Sequence, residues 1–445
     1  MMQSNKLLTS FVLFFYCFSL GSLGIRARWI FLLMIVFSFF IICLKENSII
    51  KGKNTFYFRN WMIVYISIII FILLPNSRHE SDIINYLIYL SIITFIYSQI
   101  RTDFEEIRKL YDIMIFMAVV FSIYIIFARI CSGAYRSLIV PFLDATTKER
   151  YLSNSVFGYG PAIGNSYTFG DSVIVLGISA VLGKEITKDG GLLKNRLLLL
   201  LMISGILLEG RKSELIAIII TILFVIAFAD NLRKRDHIES RVFFAMVIGL
   251  LLVITIGMMY KMGLLQRFIV MAERISSKIG GQSVDFTSGR ASLWKNAIIL
   301  FRDNPIFGAG WGRFANYTTG VFRENLNDQA VRDVHNVLLQ LLCETGLVGT
   351  LLICFPLVRV LCYTLKLAKI FRECENNSIM RKSIVFSLSI FVYSFILSFL
   401  DPNFYSHFFW CVLLVAMAFA ENGCSSCYRC EIQETKRATL GNRLS

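Results

Sequence analysis

The sequence predicts an all-α polytopic membrane protein with about twelve transmembrane helices. Of its 445 residues, 56% are hydrophobic and only 17% are charged, whereas about a quarter of the residues in soluble domains are charged. Apolar stretches long enough to cross a bilayer recur along the whole chain. Lys and Arg are unevenly divided between alternate loops, which is typical of multi-span membrane proteins.

Twelve apolar stretches are candidate spans. They cover residues 7–24, 28–44, 61–74, 83–100, 110–131, 168–183, 192–208, 213–229, 242–260, 347–365, 383–400 and 404–420. The first resembles a signal peptide in length, but a second apolar stretch follows at once and no Ala-x-Ala cleavage site is evident. We therefore interpret it as a span.

The distribution of basic residues predicts the orientation. With the N-terminus in the cytoplasm, the segments placed inside hold 25 Lys or Arg residues, and the short segments placed outside hold 4. This asymmetry favours cytoplasmic N- and C-termini. The predicted layout is helices 1–9 in residues 1–260, an extracytoplasmic loop at 261–346, helices 10–12 in 347–420 and a cytoplasmic tail at 421–445. A second outside loop covers 132–167.

Net charge and cysteine content exclude two classes of function. The net charge of +15 is explained by topology-setting loops rather than by nucleic-acid binding. Most of the eleven cysteines lie in apolar stretches, where Cys acts as a small hydrophobe. Cys424, Cys427 and Cys430 lack a fourth ligand for a metal, so the sequence favours palmitoylation or no special role there and predicts no metal site and no cofactor.

The loop 261–346 contains two predicted helices. Thr287 or Ser288 can cap a helix that runs to about Asp303, with Arg290 in its first turn. Its apolar stripe is formed by residues at helical spacing, Leu293, Trp294, Ala297, Ile298 and Phe301. The glycines of Gly308-Ala-Gly-Trp-Gly312 then allow the backbone to pack closely or to approach a ligand.

The second helix is predicted to start near Val334 and to stop at Gly346. His335 therefore lies at a helix N-terminus just above the bilayer. This position favours the neutral imidazole, the form that can accept a proton. Asn336, Gln340 and Glu344 are four residues apart and form a polar stripe.

A third polar element separates two apolar stretches, Glu209-Gly-Arg-Lys-Ser-Glu214. Six residues are too few for an ordinary exposed loop, so Arg211 is expected to lie close to the membrane surface. Ionisable groups in such positions are candidates for function.

These motifs resemble the O-antigen ligase and O-antigen polymerase superfamily. The resemblance is carried by Gly210-Arg-Lys-Ser213, Ser288-Gly-Arg-Ala-Ser-Leu-Trp294, Asn304-Pro-Ile-Phe-Gly-Ala-Gly-Trp-Gly312, His335-Asn-Val-Leu-Leu-Gln340 and Glu344-Thr-Gly-Leu-Val-Gly349. It implies a metal-independent inverting glycosyltransferase that uses glycans linked to undecaprenyl diphosphate on the periplasmic face. It implies that Arg211 and Arg290 hold the donor diphosphate and that His335 activates the acceptor hydroxyl. We add Lys212, Asn336 and Gln340 as further substrate-binding candidates.

The chemistry of the reaction is compatible with these residues. Guanidinium groups can neutralise the departing diphosphate through bidentate hydrogen bonds, and a neutral histidine can take the hydroxyl proton. A metal could replace the arginines, but the outside segments show no tight carboxylate pair. Their acids are scattered along the chain, at Asp144, Glu149, Asp285, Glu324, Asp328, Asp333 and Asp401.

Four interpretations remain open: a polymerase, a ligase, a polysaccharide transporter or flippase, and a non-catalytic membrane scaffold, which no feature of the sequence favours. A polymerase adds the growing glycan to the next lipid-linked repeat unit, and a ligase adds it to lipid A–core. The idiosyncratic sequence outside the motifs favours the polymerase, with a flippase and a chain-length regulator as expected partners. The third reading is a polysaccharide transporter or flippase, but the paired broken helices or internal repeat of a transporter are not detected.

Overall fold

A computed structural model gives the fold of the protein. The structure describes residues 56–74, 81–100, 104–143, 148–149, 151–152, 167–187, 189–231, 257, 290–315, 333–370, 378–401, 405–406 and 408–423. The predicted spans 7–24 and 28–44, the predicted span 242–260 apart from Gly257, and the three cysteines of the tail lie outside these residues.

The described residues form helices and no strands, which confirms the predicted all-α class. The helices are α1 (Phe56–Leu73), α2 (Ser81–Ile100), α3 (Phe104–Ile130), α4 (Ser132–Leu138), α5 (Tyr167–Ile186), α6 (Leu192–Glu209), α7 (Lys212–Asn231), α8 (Arg290–Asp303), α9 (Val337–Ile370), α10 (Ser378–Leu400) and α11 (Phe408–Gly423). A short 3₁₀ helix covers Val140–Phe142.

Four of the described helices contain stretches that are long and apolar enough to cross a membrane. These stretches are Phe56–Leu73, Lys109–Ile130, Val337–Lys369 and Met380–Leu400. Shorter apolar helices cover Ser213–Phe228 and Phe408–Gly423. The protein is thus a helical membrane protein, while the total of twelve spans remains a prediction.

The long helices pack into a bundle around one large apolar core. Helix α5 contacts α3, α6 and α10, and α9 contacts α1 and α10. Large aromatic side chains such as Trp61, Trp410 and Phe386 are fully buried there. A lipid-exposed helix needs no polar stripe, which is why residues such as Ile66 and Phe395 remain about half exposed on the outer surface.

Contacts between distant residues define the two ends of the bundle. At one end, Lys184 pairs with Asp112, and Tyr97 hydrogen-bonds Glu421. At the other end lie the start of α5, the α6–α7 turn, the start of α9 and the end of α10. The up-and-down course predicted from the apolar stretches brings these four segments to the same end.

Helix α8 packs on the start of α9 at that second end. A small apolar cluster joins them, with Leu293, Ala297 and Leu300 of α8 against Val334 and Cys343. The predicted stripe was wrong at Ile298, which is 41% exposed. Leu300 takes its place because the helix turns its 293–297–300 face towards α9.

Candidate active site

Arg211 lies in the tight turn between α6 and α7. Gly210 ends α6 in the left-handed conformation (φ 85°), which glycine adopts at little cost. The next residue is Arg211, and α7 begins at Lys212. The turn therefore keeps the guanidinium at the end of the bundle, where its side chain is only 15% exposed.

Three carboxylates surround the Arg211 guanidinium. Nη1 donates to Asp171 Oδ2 at 2.6 Å, and Nη2 donates to Asp401 Oδ2 at 2.6 Å. Glu214 Oε1 also lies 2.6 Å from Nη2. These carboxylates come from α5, α7 and the residue after α10, so Arg211 links three helices.

This cluster corrects the expectation that the acids near the outer surface are scattered. They are far apart along the chain, yet Asp401 and two acids within apolar helices meet at one guanidinium. Because these charges are buried, loss of the central cation would leave uncompensated carboxylates, typically at a cost of about 3–5 kcal/mol.

The charges also shift the pKa values of the groups in the cluster. Burial lowers the pKa of Arg211, but the charges of Asp171, Glu214 and Asp401 outweigh burial and raise it. Burial raises the pKa of Asp401, but its contact with His335 and the charge of Arg211 bring it below its ordinary value. Both residues are therefore charged at neutral pH.

Arg290 is the first residue of α8 and reaches the same place. Its Nη1 donates to the carbonyl oxygen of Leu400 at 2.9 Å. Leu400 ends α10, and Asp401 is the next residue. Among the described residues, this is the single hydrogen bond that we find for the Arg290 guanidinium, and its side chain remains partly exposed.

His335 completes the group. Its Nδ1 lies 3.9 Å from Asp401 Oδ1, which is longer than a hydrogen bond but close enough for attraction when the imidazole is protonated. Its side chain is 35% exposed. The three residues expected to carry the chemistry, Arg211, Arg290 and His335, thus all contact Leu400 or Asp401.

The start of α9 differs from the prediction by a few residues. The helix begins at Val337 rather than near Val334, and Asn336 caps it by accepting a hydrogen bond from Leu339 N at 3.1 Å. His335 precedes the cap and has a left-handed backbone (φ 56°). Helical hydrogen bonding continues to Ile370, but Gly346 has non-helical angles, so the predicted stop is a kink.

The three further substrate-binding candidates occupy different environments. Asn336 is half-buried beside His335. Gln340 is 3% exposed, and its amide bonds to Val334 N at 2.8 Å, Glu344 Oε1 at 3.1 Å and Tyr405 Oη at 3.3 Å. Lys212 is the first residue of α7.

The glycine-rich turn after α8 packs directly against α9. Gly308, Gly310 and Gly312 all have positive φ angles. A Cβ atom on Gly308 would lie 2.3 Å from the carbonyl carbon of Glu344, so only glycine fits. The first of the two roles considered for these glycines, close packing of backbone, is therefore the one observed.

An apolar cavity of about 240 Å³ adjoins the polar group. It lies between α9, α10 and α11, and Val337, Leu338 and Phe399 are among its lining residues. Val337 and Leu338 closely follow His335, and Phe399 precedes Asp401 by two residues. The charged group thus lies at the end of an apolar cavity among the membrane helices.

Sequence reasoning identified the three motif residues but missed Asp171 and the role of Asp401. Asp171 is one polar residue in an apolar helix, and an isolated carboxylate in such a helix is itself a signal of function. Asp401 was grouped with the scattered acids because its partners, Arg211 and His335, are 190 and 66 residues away in sequence.

Comparison with known proteins supports the resemblance. Residues 197–354 match the family model described as O-Antigen ligase. The matched range contains Arg211, Arg290 and His335, whereas Asp171 and Asp401 lie outside it. A search of curated proteins found no match. The match supports a function of the O-antigen ligase or polymerase kind, that is, a membrane glycosyltransferase that acts on lipid-linked polysaccharide.

Proposed function

We propose, from the family match over residues 197–354, that the protein is an O-antigen or surface-polysaccharide polymerase. It transfers the growing glycan from undecaprenyl diphosphate to the next lipid-linked repeat unit, at the periplasmic face of the inner membrane. The observation that carries the proposal is the meeting of Arg211, Arg290 and His335 around Leu400 and Asp401.

The two arginines divide the work of holding the diphosphate. Among the described residues, the hydrogen bond that we find for Arg290 is the one to the Leu400 carbonyl, so its other N–H groups are the main donors for phosphate oxygens in this proposal. Arg211 is engaged by three carboxylates, so its part is to fix the end of α10, on which Arg290 and His335 converge. A preorganised cation such as Arg290 stabilises the charge that develops on a leaving group.

His335 acts as the general base in this mechanism. Asp401 lies on the Nδ1 side of the ring, which leaves Nε2 to accept the proton of the acceptor hydroxyl. The hydroxyl oxygen then attacks the anomeric carbon, and the bond to the diphosphate breaks. Asp401 stabilises the imidazolium formed, as a carboxylate does in other His-based sites. General base catalysis of this type contributes typically 10²–10⁴-fold.

The apolar cavity beside the charged group suits the prenyl chain of the donor. Its walls are almost entirely apolar side chains of membrane helices. A photoreactive prenyl diphosphate should label α10 near Phe399 and not the exposed face of α1 at Ile66 and Ile70. Labelling of α1 alone would place the donor chain elsewhere.

The proposed reaction uses the arginine cations and needs no metal. Turnover in proteoliposomes should therefore persist in EDTA. Abrupt loss of turnover, restored by Mg²⁺, would contradict this part of the mechanism.

Substitution in cells tests the assignment of residues. Arg290→Ala and His335→Ala should each abolish chain extension while the protein still inserts in the membrane. Arg302→Ala is the matched control, because Arg302 is exposed at the far end of the same helix and should remain active. Wild-type polysaccharide from either site variant would refute the proposal.

The ligase is the second candidate, because the matched family model is described as O-Antigen ligase and the match does not distinguish the two activities. The lipopolysaccharide ladder of a deletion strain separates them. Core bearing a single repeat unit indicates a missing polymerase. Bare core with accumulated lipid-linked polymer indicates a missing ligase and would overturn our preference.

A further inference from the structure

We propose that Gln340 and Glu344 are positioning residues that hold the His335 backbone in its active conformation. The inference rests on the proposed role of His335 as the base. Its starting observation is that His335 has a left-handed φ of 56°. Such a conformation costs a residue other than glycine about 1–3 kcal/mol and persists only where surrounding contacts enforce it.

Two side chains fix the backbone on either side of His335. On the N-terminal side, Val334 N donates to Gln340 Oε1 at 2.8 Å, and the Val334 side chain is fully buried between α8 and α9. On the C-terminal side, Asn336 caps α9. The bond from Val334 N is to the side chain of Gln340, in the first turn of α9. It forms only when the oxygen of the Gln340 amide, and not its nitrogen, faces Val334.

Glu344 determines which way that amide faces. Gln340 Nε2 donates to Glu344 Oε1 at 3.1 Å while Gln340 Oε1 accepts from Val334. The reversed amide would place two donors together at Val334 and two acceptors together at Glu344. Because both neighbours are buried, neither mismatch could be relieved by water, and each would cost about 1–3 kcal/mol.

The Glu344 carboxylate is itself held in place by four donors. Oε1 accepts from Phe314 N at 3.2 Å and from Gln340, and Oε2 accepts from Gly312 N at 3.0 Å and from the Tyr405 hydroxyl. Four donors saturate a carboxylate. Glu344 therefore ties the turn after α8 and the segment after Asp401 to the residue that orients His335.

The two residues have distinguishable effects on kinetics. Among the residues that the structure describes, the Gln340 side chain bonds Val334, Glu344 and Tyr405 and no residue of α8. Gln340→Met should therefore lower kcat about 10- to 100-fold by displacing His335 and leave the donor KM within about twofold. Glu344→Gln also disturbs the turn that follows the Arg290 helix, so it should lower kcat and raise the donor KM.

A double-variant cycle separates positioning of His335 from general support of the fold. Initial rates are measured in proteoliposomes with a lipid-linked donor and acceptor, for Gln340→Met alone and in a His335→Ala background. Since Gln340 acts through His335, adding Gln340→Met to His335→Ala should change the residual rate by less than about twofold. Thr350→Val is the control, because Thr350 is also buried in α9 and its hydroxyl donates to the Gly346 carbonyl of the same helix.

The outcomes are distinct. Near-normal kcat for Gln340→Met overturns this inference. So does a double variant that is slower than His335→Ala by the same factor by which Gln340→Met is slower than wild type. Near-normal activity of His335→Ala overturns the proposed function instead. If Gln340→Met does not insert in the membrane, the same cycle is carried out with Glu344→Gln. Only kcat is then compared, and the same criteria apply to it.

Discussion

Arg211 is the residue on which the charges of the site converge. Its guanidinium joins Asp171 and Asp401 with two different nitrogens, so its planar geometry matters as well as its charge. Arg211 could be singled out from the sequence because it lies in a short polar segment between two apolar stretches. The sequence could not reveal the carboxylate partners, since pairing across helices depends on packing and not on local pattern.

The first prediction concerns Arg211→Lys. A single ammonium cannot reach both carboxylates in the way that a planar guanidinium does. Activity should fall at least about tenfold, as expected for loss of one charge-assisted hydrogen bond of roughly 1.5–3 kcal/mol. Initial rates in proteoliposomes are the measurement.

Arg196→Lys is the matched control for that change. Arg196 is similarly buried at the opposite end of the bundle, where its Nε donates to Glu185 at 3.0 Å. It should retain near-normal activity. A fully active Arg211→Lys protein would show that the bridging geometry is unimportant.

The second prediction concerns pH and Asp401. Burial raises the pKa of this carboxyl, but the opposing effect of His335 and Arg211 is larger and brings the pKa below the ordinary 3.8. A group with a depressed pKa stabilises the fold fully above its unfolded value, and the contribution is lost as pH falls through the folded value. The difference in Tm between wild type and Asp401→Asn should therefore stay constant from about pH 5 to 8 and shrink below about pH 4. A difference that shrinks already at pH 6 would indicate a raised pKa.

At the scale of elements, the junction of α8, the glycine turn and α9 sets the position of the catalytic residues. The sequence predicted the end of α8 at Asp303 and the break at Gly346, because proline and glycine are strong local signals. It placed the start of α9 too early. The actual start depends on the Asn336 cap and on the Gln340 bond to Val334, which are tertiary details of one turn.

The third prediction is that Gly346→Ala disrupts this junction. Gly346 has φ 66° and ψ −167°, a region essentially restricted to glycine, and a Cβ atom there would lie 2.3 Å from Ile306 O. Strain and overlap together should cost about 2–6 kcal/mol, lowering Tm and activity. Gly133→Ala, where an added Cβ meets nothing within 4 Å, is the control. Equal Tm values for the two variants would contradict the packing described.

At the scale of the whole molecule, the arrangement of charges follows from the up-and-down course of the chain. Hydropathy predicted the class and most described helices, because apolar length is a strong signal. It could not predict which helices contact each other, since most have apolar residues on all sides. The predicted domain layout and the side of the membrane remain proposals.

The fourth prediction tests that side. Arg302 at the end that holds the site and Lys194 at the other end are both exposed. In a cysteine-free variant, a membrane-impermeant maleimide added to intact spheroplasts should label Arg302→Cys and leave Lys194→Cys unlabelled until the membrane is opened. The reverse pattern would place the charged group in the cytoplasm.

The division of labour between arginine and histidine is tested most directly by measuring donor binding and turnover on the same purified variants. His335→Ala should bind undecaprenyl-diphosphate-linked glycan with a Kd within about twofold of wild type, yet turn over at least about 100-fold more slowly. Arg290→Ala should weaken binding at least about tenfold. Normal turnover by His335→Ala, or unchanged binding and turnover by Arg290→Ala, would contradict a shared diphosphate and base site at the end of α10.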